Sequence, residues 1–347
     1  MEHCYLGIDV GKAFSRSFGL TPEGEVVCDG KQLRTMQEDA WRQWLQPLSE
    51  KYVLHAAFEI GPHYDWMYDL LKEYCQEVVV VNAGAFKIIA QSHKKTDRLD
   101  AQRMAEGLLR GNLPDIWVPD RETRADRRLV SFVHYASQAL TTIKGRVRGL
   151  LQTYRLEYPA RDVLSAQAVV WLRDVAMPQL DDDGKMMLRM LLEQADVLLR
   201  QRRELDATVR ERGQRYAAAE IVRSVPGFGP LTSLAMLCAV GDIGRFDAPQ
   251  KLASYLGVCG SVRQSGKTCH LGPMTKRGNA HVRWLLAQAL LHLHKKDAKA
   301  RGRYQRLKRK KNRGVARGAM MRWLVGILWH VWTKGETYRI AGAKKAA

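Results

Sequence analysis

The chain has 347 residues, with 56 Lys or Arg against 36 Asp or Glu and a formal net charge of +20. Hydrophobic residues make up 46%, which excludes wholesale disorder, and the length suggests two or three domains. No stretch approaches the ~20 consecutive apolar residues of a membrane helix, and the first ten residues lack a signal-peptide pattern. Six scattered cysteines without a CxxC pair predict reduced thiols in a cytoplasmic protein. The positive charge predicts a polyanionic partner, with nucleic acid as the first candidate and an anionic membrane surface as a distant second.

The first 120 residues alternate between strand-like and helix-like patterns. We predict strands at 4–9, 15–20, 24–28, 53–60, 77–83 and 115–118, and helices at 36–48, 63–75 and 96–109. Strands that alternate with helices are typical of an α/β layer with a mostly parallel or mixed sheet.

Beyond residue 120 the strand signals nearly vanish. Long helices are predicted at 121–157 and 185–214, followed from 216 by a mainly helical section with glycine-rich turns. Apolar residues recur in the second long helix at a spacing of three to four, namely Leu188, Leu191, Ala195, Leu198, Leu205 and Val209, with Arg202 as the one interruption. This pattern fits a coiled-coil seam between subunits or, equally, a helical hairpin within one subunit. The predicted domains are therefore 1–120, 121–215 and 216–347.

Acidic residues in the first section stand at structurally informative places. Asp9 and Glu59 end predicted strands, and Asp97 and Asp100 lie three apart on a predicted helix, so that both face one side. Clustered carboxylates repel one another unless cations bind between them, and Mg²⁺ prefers oxygen ligands. Each residue also has a simpler interpretation, because aspartates form turns at strand ends and cap helices. The set as a whole favours a Mg²⁺ site for phosphodiester chemistry.

Two features of the last section fit contact with a phosphate backbone. The turn Pro226-Gly227-Phe228-Gly229-Pro230 joins two helices, and it resembles a helix–hairpin–helix whose backbone N–H groups grip phosphates. The alternative is a tight interhelical turn that needs glycine for its backbone angles alone.

The second feature is a basic, glycine-rich loop that contains Ser265. A serine hydroxyl becomes a nucleophile only when a base or a metal activates it. Nearby cations that could stabilise a phosphorane transition state are Lys267, Lys276, Arg277 and Arg283. Composition alone does not separate Ser265 from Ser261 or Thr268.

Positive charge is concentrated near the C-terminus. Residues 291–347 hold 17 Lys or Arg against Asp297 and Glu336, a surplus of 15. Five cations in its densest run are candidate phosphate contacts: Arg301, Arg303, Lys308, Arg309 and Lys310. A solubilising tail is the alternative, although an aromatic-rich stretch follows at once.

These motifs, taken in order, resemble the DEDD transposases of bacterial mobile elements, in the insertion-sequence one-ten family of bridge-RNA-guided recombinases. The resemblance spans nearly the whole chain and rests on GIDVGK, FEIG, KTDRLDA, SVPGFGPLTS and RQSG followed by GPMTKRGNAHVR. It implies an N-terminal RuvC-like domain of RNase H type, a helical coiled-coil middle and a mainly helical C-terminal transposase domain.

The resemblance also implies a chemistry. Asp9, Glu59, Asp97 and Asp100 would hold Mg²⁺, while Ser265 would attack the DNA phosphate to form a transient phosphoserine. Family members act as dimers that pair into tetramers on donor and target DNA, guided by a structured RNA. The expected place of action is the bacterial cytoplasm, at the nucleoid.

Three alternatives remain at this stage. A metal-dependent nuclease of the Holliday-junction-resolvase type would use the same acids with water as the attacking group. A DNA invertase would share every motif. A non-catalytic nucleic-acid-binding protein would explain the basic charge, but it gives no reason for clustered acids.

Overall fold

The computed structural model describes residues 1–82, 84, 86, 96–158, 161–265 and 268–340, with the side chains of 262–265 and 269–271 left aside. The chain forms two compact units, Met1–Asp120 and Arg121–Ala347. None of the helices in the described ranges combines the length and hydropathy of a membrane span.

The first unit is built on one five-stranded mixed sheet. Its strands are β1 (Glu2–Val10), β2 (Phe14–Leu20), β3 (Val26–Arg34), β4 (Tyr52–Glu59) and β5 (Cys75–Val81), in the order β3-β2-β1-β4-β5. The first three strands form an antiparallel meander, and β4 and β5 run parallel to β1. Its described helices are α1 (Glu38–Lys51), α2 (Tyr64–Tyr74) and α3 (Asp97–Leu109). The architecture is consistent with the predicted RNase H-like fold.

Helices cover both faces of this sheet, as a mixed sheet with parallel strands requires. On one face Leu6, Ile8 and Phe58 pack with Trp41 of α1 and Met67 of α2, and all five are fully buried. Helix α3 packs on the other face. The central strands β1 and β4 are therefore covered on both faces.

One predicted strand of the first unit is wrong. Residues 115–118 form no strand, and Asp115 makes only an isolated antiparallel bridge to Val81. Prolines at 114 and 119 bracket the segment, and proline has no N–H to donate to a ladder. The segment therefore lies beside β5 with a single N–H, that of Ile116, donated to Val80 at 2.8 Å.

The second unit is mainly helical. Its helices are α4 (Arg121–Thr153), α5 (Ala166–Trp171), α6 (Asp182–Gln214), α7 (Ala219–Ser224), α8 (Pro230–Val240), α9 (Pro249–Tyr255), α10 (Ala280–Lys296), α11 (Ala298–Lys310) and α12 (Arg313–Lys334). A two-stranded antiparallel hairpin, β6 (Gly260–Ser265) and β7 (Thr268–Met274), stands between α9 and α10.

Helices α4 and α6 form a hairpin within the chain. The predicted apolar positions of α6 pack into two clusters with residues of α4 such as Val133, Ile143 and Val147. Arg202, the one interruption of the pattern, is accommodated because its guanidinium donates to the Ser137 hydroxyl of α4 at 2.5 Å and pairs with Asp206 at 3.0 Å. The intrachain hairpin thus accounts for the periodicity, and a role of 121–215 in dimerisation stays a prediction.

The remaining helices share a separate core. Val222 and Val225 beside the glycine turn pack with Leu286 of α10 and Leu324 and Leu328 of α12, all fully buried. A smaller cluster joins α8 to α4 and α6 through Leu234 and Val209. The glycine turn, α10 and the basic α11 are therefore parts of one packed body.

Candidate functional site

Asp9 and Glu59 meet at one edge of the sheet. Strands β1 and β4 are parallel neighbours with Ile8 beside Phe58, so the next residues, Asp9 and Glu59, stand side by side. Side chains alternate along a strand, and Ile8 and Phe58 point into one core. The two carboxylates therefore project from the opposite face, at the carboxyl ends of both strands.

Helix α3 brings the two other acids to that face. A Cβ at Gly7 would lie 1.9 Å from the Ala101 carbonyl oxygen and 2.4 Å from the Ala105 nitrogen, so the helix rests directly on β1. Later residues of α3 pack toward the start of β1, where Leu108 shares a cluster with Tyr5. The helix thus runs opposite to β1, and its first turn begins at the edge that carries Asp9 and Glu59.

Asp97 and Asp100 occupy different surroundings in this first turn. Thr96 is the N-cap, because its hydroxyl accepts from the Leu99 N–H at 3.3 Å, so capping does not require Asp97. Asp97 is exposed. The Asp100 side chain is 18% exposed and pairs with Arg103 at 3.3 Å.

The donor set at this edge suits a hard divalent cation, since all four side chains offer carboxylate oxygens. Within the part of the chain that the structure describes, no three His, Cys, Asp or Glu side chains are close enough together to hold a metal ion. The fold therefore brings Asp9 and Glu59 side by side, but it does not assemble any three of the four acids into a metal site, and Asp100 is engaged by Arg103.

The predicted serine loop is instead the end of a β-hairpin. Ser265 is the last residue of β6 and pairs in register with Thr268, the first residue of β7. Gly266 and the predicted phosphate contact Lys267 lie outside the described residues, as does the Ser265 side chain. The correction is local: Ser265 belongs to the end of a strand, because it pairs in register with Thr268.

The turn that carries Lys276 and Arg277 packs tightly on the end of α9. Lys276 has a left-handed φ of 54° and donates its N–H to the Gly257 carbonyl at 3.2 Å. A Cβ at Gly257 would lie 2.6 Å from the Gly278 nitrogen. Arg283 donates from its guanidinium to the Gly278 carbonyl, so this arginine braces the turn. The Lys276 and Arg277 side chains remain exposed.

The two glycines of the turn between α7 and α8 have different reasons to be glycine. Gly227 has a φ of +96°, and a Cβ there would lie 2.4 Å from the Ala289 carbonyl oxygen of α10. Gly229 has φ −75° and ψ 177°, which any residue adopts, and a Cβ there would meet nothing within 4 Å. The interhelical-turn interpretation thus explains Gly227 but not Gly229.

The basic side chains of helix α11 face solvent. Ala300, Tyr304 and Leu307 face the core, and Asp297 caps the helix by accepting from the Ala300 N–H at 3.0 Å. The predicted phosphate contacts Arg301, Arg303, Lys308, Arg309 and Lys310 are all exposed. No described acid forms an ion pair with any of them, although Arg303 lies over the Trp323 ring at 5.4 Å. These five cations thus form an exposed positive surface on one helix.

Sequence reasoning missed the cations that surround the glycine turn. Arg223 of α7 and Lys296 of α10 line a groove beside Gly227 and Gly229, together with His292. The signal was available in part, because His292 and Lys296 are four apart on one helix face. Arg223 could not be assigned, since its position opposite α10 depends on the tertiary packing.

Comparison with known proteins identifies the family. A model of DEDD transposases of the IS110 type matches residues 6–156, and a model described as "Transposase IS116/IS110/IS902 family" matches residues 219–305. The chain belongs to this transposase family. The match over residues 6–156 contains the four acids. The match over residues 219–305 contains the glycine turn, the serine hairpin and the start of α11.

The relatives of this chain differ in how much of their own length it covers. The transposase for insertion sequence element IS1111A of Coxiella burnetii is 28% identical over 257 residues, which are 71% of this chain and 68% of the relative. An insertion element IS110 protein of Streptomyces coelicolor is 24% identical over 401 aligned positions, covering 99% and 98%. A Sinorhizobium fredii relative is 26% identical over 251 residues, and only 60% of its length is covered.

Proposed function

We propose that the protein is a site-specific DNA recombinase of a mobile element, which cuts and rejoins DNA through a phosphoserine intermediate at Ser265. The observation that carries this proposal is the register of β1 and β4, which sets Asp9 beside Glu59 under the start of α3. Adjacent carboxylates repel each other unless a cation binds between them, which supports a metal site at this edge in a chain whose net charge is +20.

The acidic edge would hold a divalent cation, Mg²⁺ in this proposal, through Asp9, Glu59, Asp97 and Asp100. Bound there, such an ion would neutralise charge on the phosphoryl oxygens. Asp100 would have to exchange its ion pair with Arg103 for this role. Carboxylates that face one another without a cation repel, so metal binding would also stabilise this edge.

Covalent chemistry is assigned to Ser265. Its Oγ would form a bond to the DNA phosphorus while the bond from phosphorus to one strand's oxygen breaks, and that oxygen leaves as a hydroxyl with a proton. Rejoining reverses the step with the hydroxyl of another strand, which releases the serine. The exposed Lys276 and Arg277, held by the packed turn after β7, would stabilise the charge on phosphorus.

Partners follow from the same proposal. Donor and target DNA would be held by phosphate contacts at the exposed cations Arg301, Arg303, Lys308, Arg309 and Lys310 of α11. We further propose that a structured guide RNA chooses the sites, and that dimers pair into tetramers at the DNA in the bacterial cytoplasm. An invertase that flips a DNA segment would use the same residues in the same way.

The second candidate is a metal-dependent nuclease in which water attacks. The acidic edge alone favours it, because the acids lie on an RNase H-like sheet and need no serine. The two candidates differ in whether the protein becomes attached to DNA.

The test is the formation of a protein–DNA adduct that survives SDS, with junction DNA and Mg²⁺. We expect an adduct for the natural chain, none for Ser265→Ala or Asp97→Ala, and an undiminished adduct for Ser261→Ala on the same strand. Strand cleavage that survives Ser265→Ala without an adduct would transfer the assignment to the nuclease. A natural chain that binds DNA without cleaving it would exclude both enzymes.

A further inference from the structure

Three rings stack on one another where α4 meets α10. The centroid of the His134 ring of α4 lies 3.9 Å from that of His281 of α10, and the Trp284 indole lies 5.9 Å from His281 with 26° between the planes. We call these three rings the aromatic platform. None of them belongs to the acidic edge, to the serine hairpin or to the basic helix α11, and the proposed chemistry does not use them.

The platform is held from below and open above. Val133, which precedes His134, and Leu285, which follows Trp284, share one buried cluster and are 0% and 4% exposed. Neighbours packed in a core fix the direction of the side chains beside them. The Trp284 side chain is nevertheless 48% exposed. A large indole therefore stands in a fixed position on a helix with one part of its surface in solvent.

His281 contributes a ring face rather than a charge. Its Nε2 atom is buried and has no hydrogen-bond partner among the described residues. Burial, with a smaller effect of His134, lowers the pKa of this imidazole to about 4, so the ring is neutral at neutral pH. The rings beside Trp284 thus extend the aromatic surface and set the position of the indole by stacking.

The surroundings of the platform are basic. The turn directly before α10 carries the exposed Lys276 and Arg277, and α10 itself contains no acid. Helix α4 is free of acids from 127 to the end of the helix. An exposed aromatic ring next to cations is the combination that binds single-stranded nucleic acid, because bases stack on the ring while the cations attract the phosphates. Charge complementarity therefore favours a nucleobase as the occupant over an apolar protein surface.

We propose that the aromatic platform stacks an unpaired base of a nucleic-acid strand on the exposed Trp284 indole, with His134 and His281 as positioning residues. Every base has a π face, so this contact tolerates different sequences. A base inside a duplex is already stacked on its neighbours, so the ligand is a single-stranded segment or an extruded base. The inference rests on the proposed function, in which strands are opened and exchanged, and it adds a contact to a base where the other proposed contacts reach phosphates.

The test measures the affinity of the full chain, without Mg²⁺, for two labelled strands of about 12 nucleotides, a length within the usual site size of single-strand binders. One strand is oligothymidylate, and the other is its abasic counterpart with the same phosphates. Trp284→Ala should weaken binding of the thymidine strand by about 5- to 150-fold, the range for one stacked base, and leave the abasic strand unchanged. The slope of log K against log salt should not change, because no charge is removed.

Two further substitutions separate the ring from the fold. Trp284→Leu keeps an apolar side chain without a π face and should lose as much affinity as the alanine variant, whereas Trp284→Phe should recover most of the loss. The matched control is Tyr135→Ala, since Tyr135 is 62% exposed on α4 but lines the groove between α4 and α6. The control should bind both strands as the natural chain does. Oligouridylate of the same length shows whether the base comes from RNA, from DNA or from either.

Four results would overturn the inference. These are full affinity for the thymidine strand in the folded Trp284 variants, an equal loss on the abasic strand, an equal loss in Tyr135→Ala, and slower or faster sedimentation of Trp284→Ala without nucleic acid while binding is intact. The last result would make the platform a contact between two copies of the chain.

The inference is separable from the proposed function, because Ser265→Ala should bind both strands as the natural chain does. Adduct formation by a natural chain whose Trp284 variants keep full affinity removes only the platform. A loss of affinity in those variants, with no adduct in the natural chain, removes only the recombinase.

Discussion

The two units differ in where they place their charged side chains. In the first unit the acids sit where backbones touch, since Gly7 of β1 lies so close to Ala101 of α3 that no side chain fits between them. In the second unit the cations of α11 stand on an exposed helix surface, since Arg301, Arg303, Lys308, Arg309 and Lys310 all face solvent. A catalytic arrangement needs fixed positions, whereas a grip on a uniform polyanion needs mainly charge.

Substitution of Gly7, which lies against α3, should cause the largest loss of stability. We expect Gly7→Ala to lower the free energy of unfolding of the first unit by about 3 kcal/mol, because the added methyl forces α3 away from β1. Gly61→Ala is the control, since a Cβ there meets nothing within 4 Å. Thermal unfolding of both variants checks the prediction, and equal midpoints would contradict the close contact.

Within the second unit, the two glycines of the α7–α8 turn should differ in how much stability is lost when each is replaced by alanine. Gly227→Ala should lower the free energy of unfolding by about 2 kcal/mol, because the left-handed φ and the Ala289 carbonyl oxygen both oppose a Cβ. Gly229→Ala should stay within about 0.5 kcal/mol of the natural chain. Urea unfolding of the pair measures the difference. A large loss of stability at Gly229 would mean that this glycine serves the fold.

A smaller effect should appear with pH in the packing of α4 against α10. The His281 ring stacks on His134 at 3.9 Å, and burial, with a smaller effect of His134, lowers the pKa of His281 to about 4. Between pH 6.5 and 4 the unfolded chain takes up a proton that the folded chain does not, so stability falls as the pH falls. We expect His281→Phe to remove about 1 kcal/mol of that loss, given partial exposure. The exposed His330→Phe is the control, and equal pH profiles would refute the assignment.

The smallest predicted effect is a gain in stability. Gly145 lies exposed inside the long helix α4, so Gly145→Ala should raise the free energy of unfolding by about 0.5–1 kcal/mol. The midpoint of thermal unfolding should rise accordingly. A loss at this position would show that the α4 surface is covered in solution and would weaken the contrast between the units.

Local patterns predicted most of the fold. Strand periodicity and the acids at strand ends were enough to place Asp9 and Glu59 at one edge, because parallel neighbours share their carboxyl ends. The strand predicted at 115–118 does not form, because the prolines at 114 and 119 bracket it. The helical hairpin of α4 and α6 could not be separated from an intersubunit seam, since both use one apolar stripe.

Features that depend on tertiary packing escaped prediction. Gly227 and Gly229 look alike in the sequence, whereas in the structure only Gly227 has a left-handed φ and lies against α10. Likewise, the groove assembles Arg223 with Lys296 across 73 positions of sequence, and no local spacing announces such a pair. The ion pair of Asp100 with Arg103 has a helical spacing, but its partial burial was not predictable.

The proposal that the acids serve strand cleavage while the cations serve DNA binding can be tested with one variant protein. Asp9→Asn with Glu59→Gln should leave DNA affinity without metal equal or tighter, because two negative charges are removed from a DNA-binding protein. The same protein should lose strand cleavage with Mg²⁺ by roughly 100-fold or more, since in the proposed function these two acids hold the metal that stabilises charge on the phosphoryl oxygens. Undiminished cleavage in this folded double variant would contradict the account, because the sheet edge would then not be where the chemistry occurs.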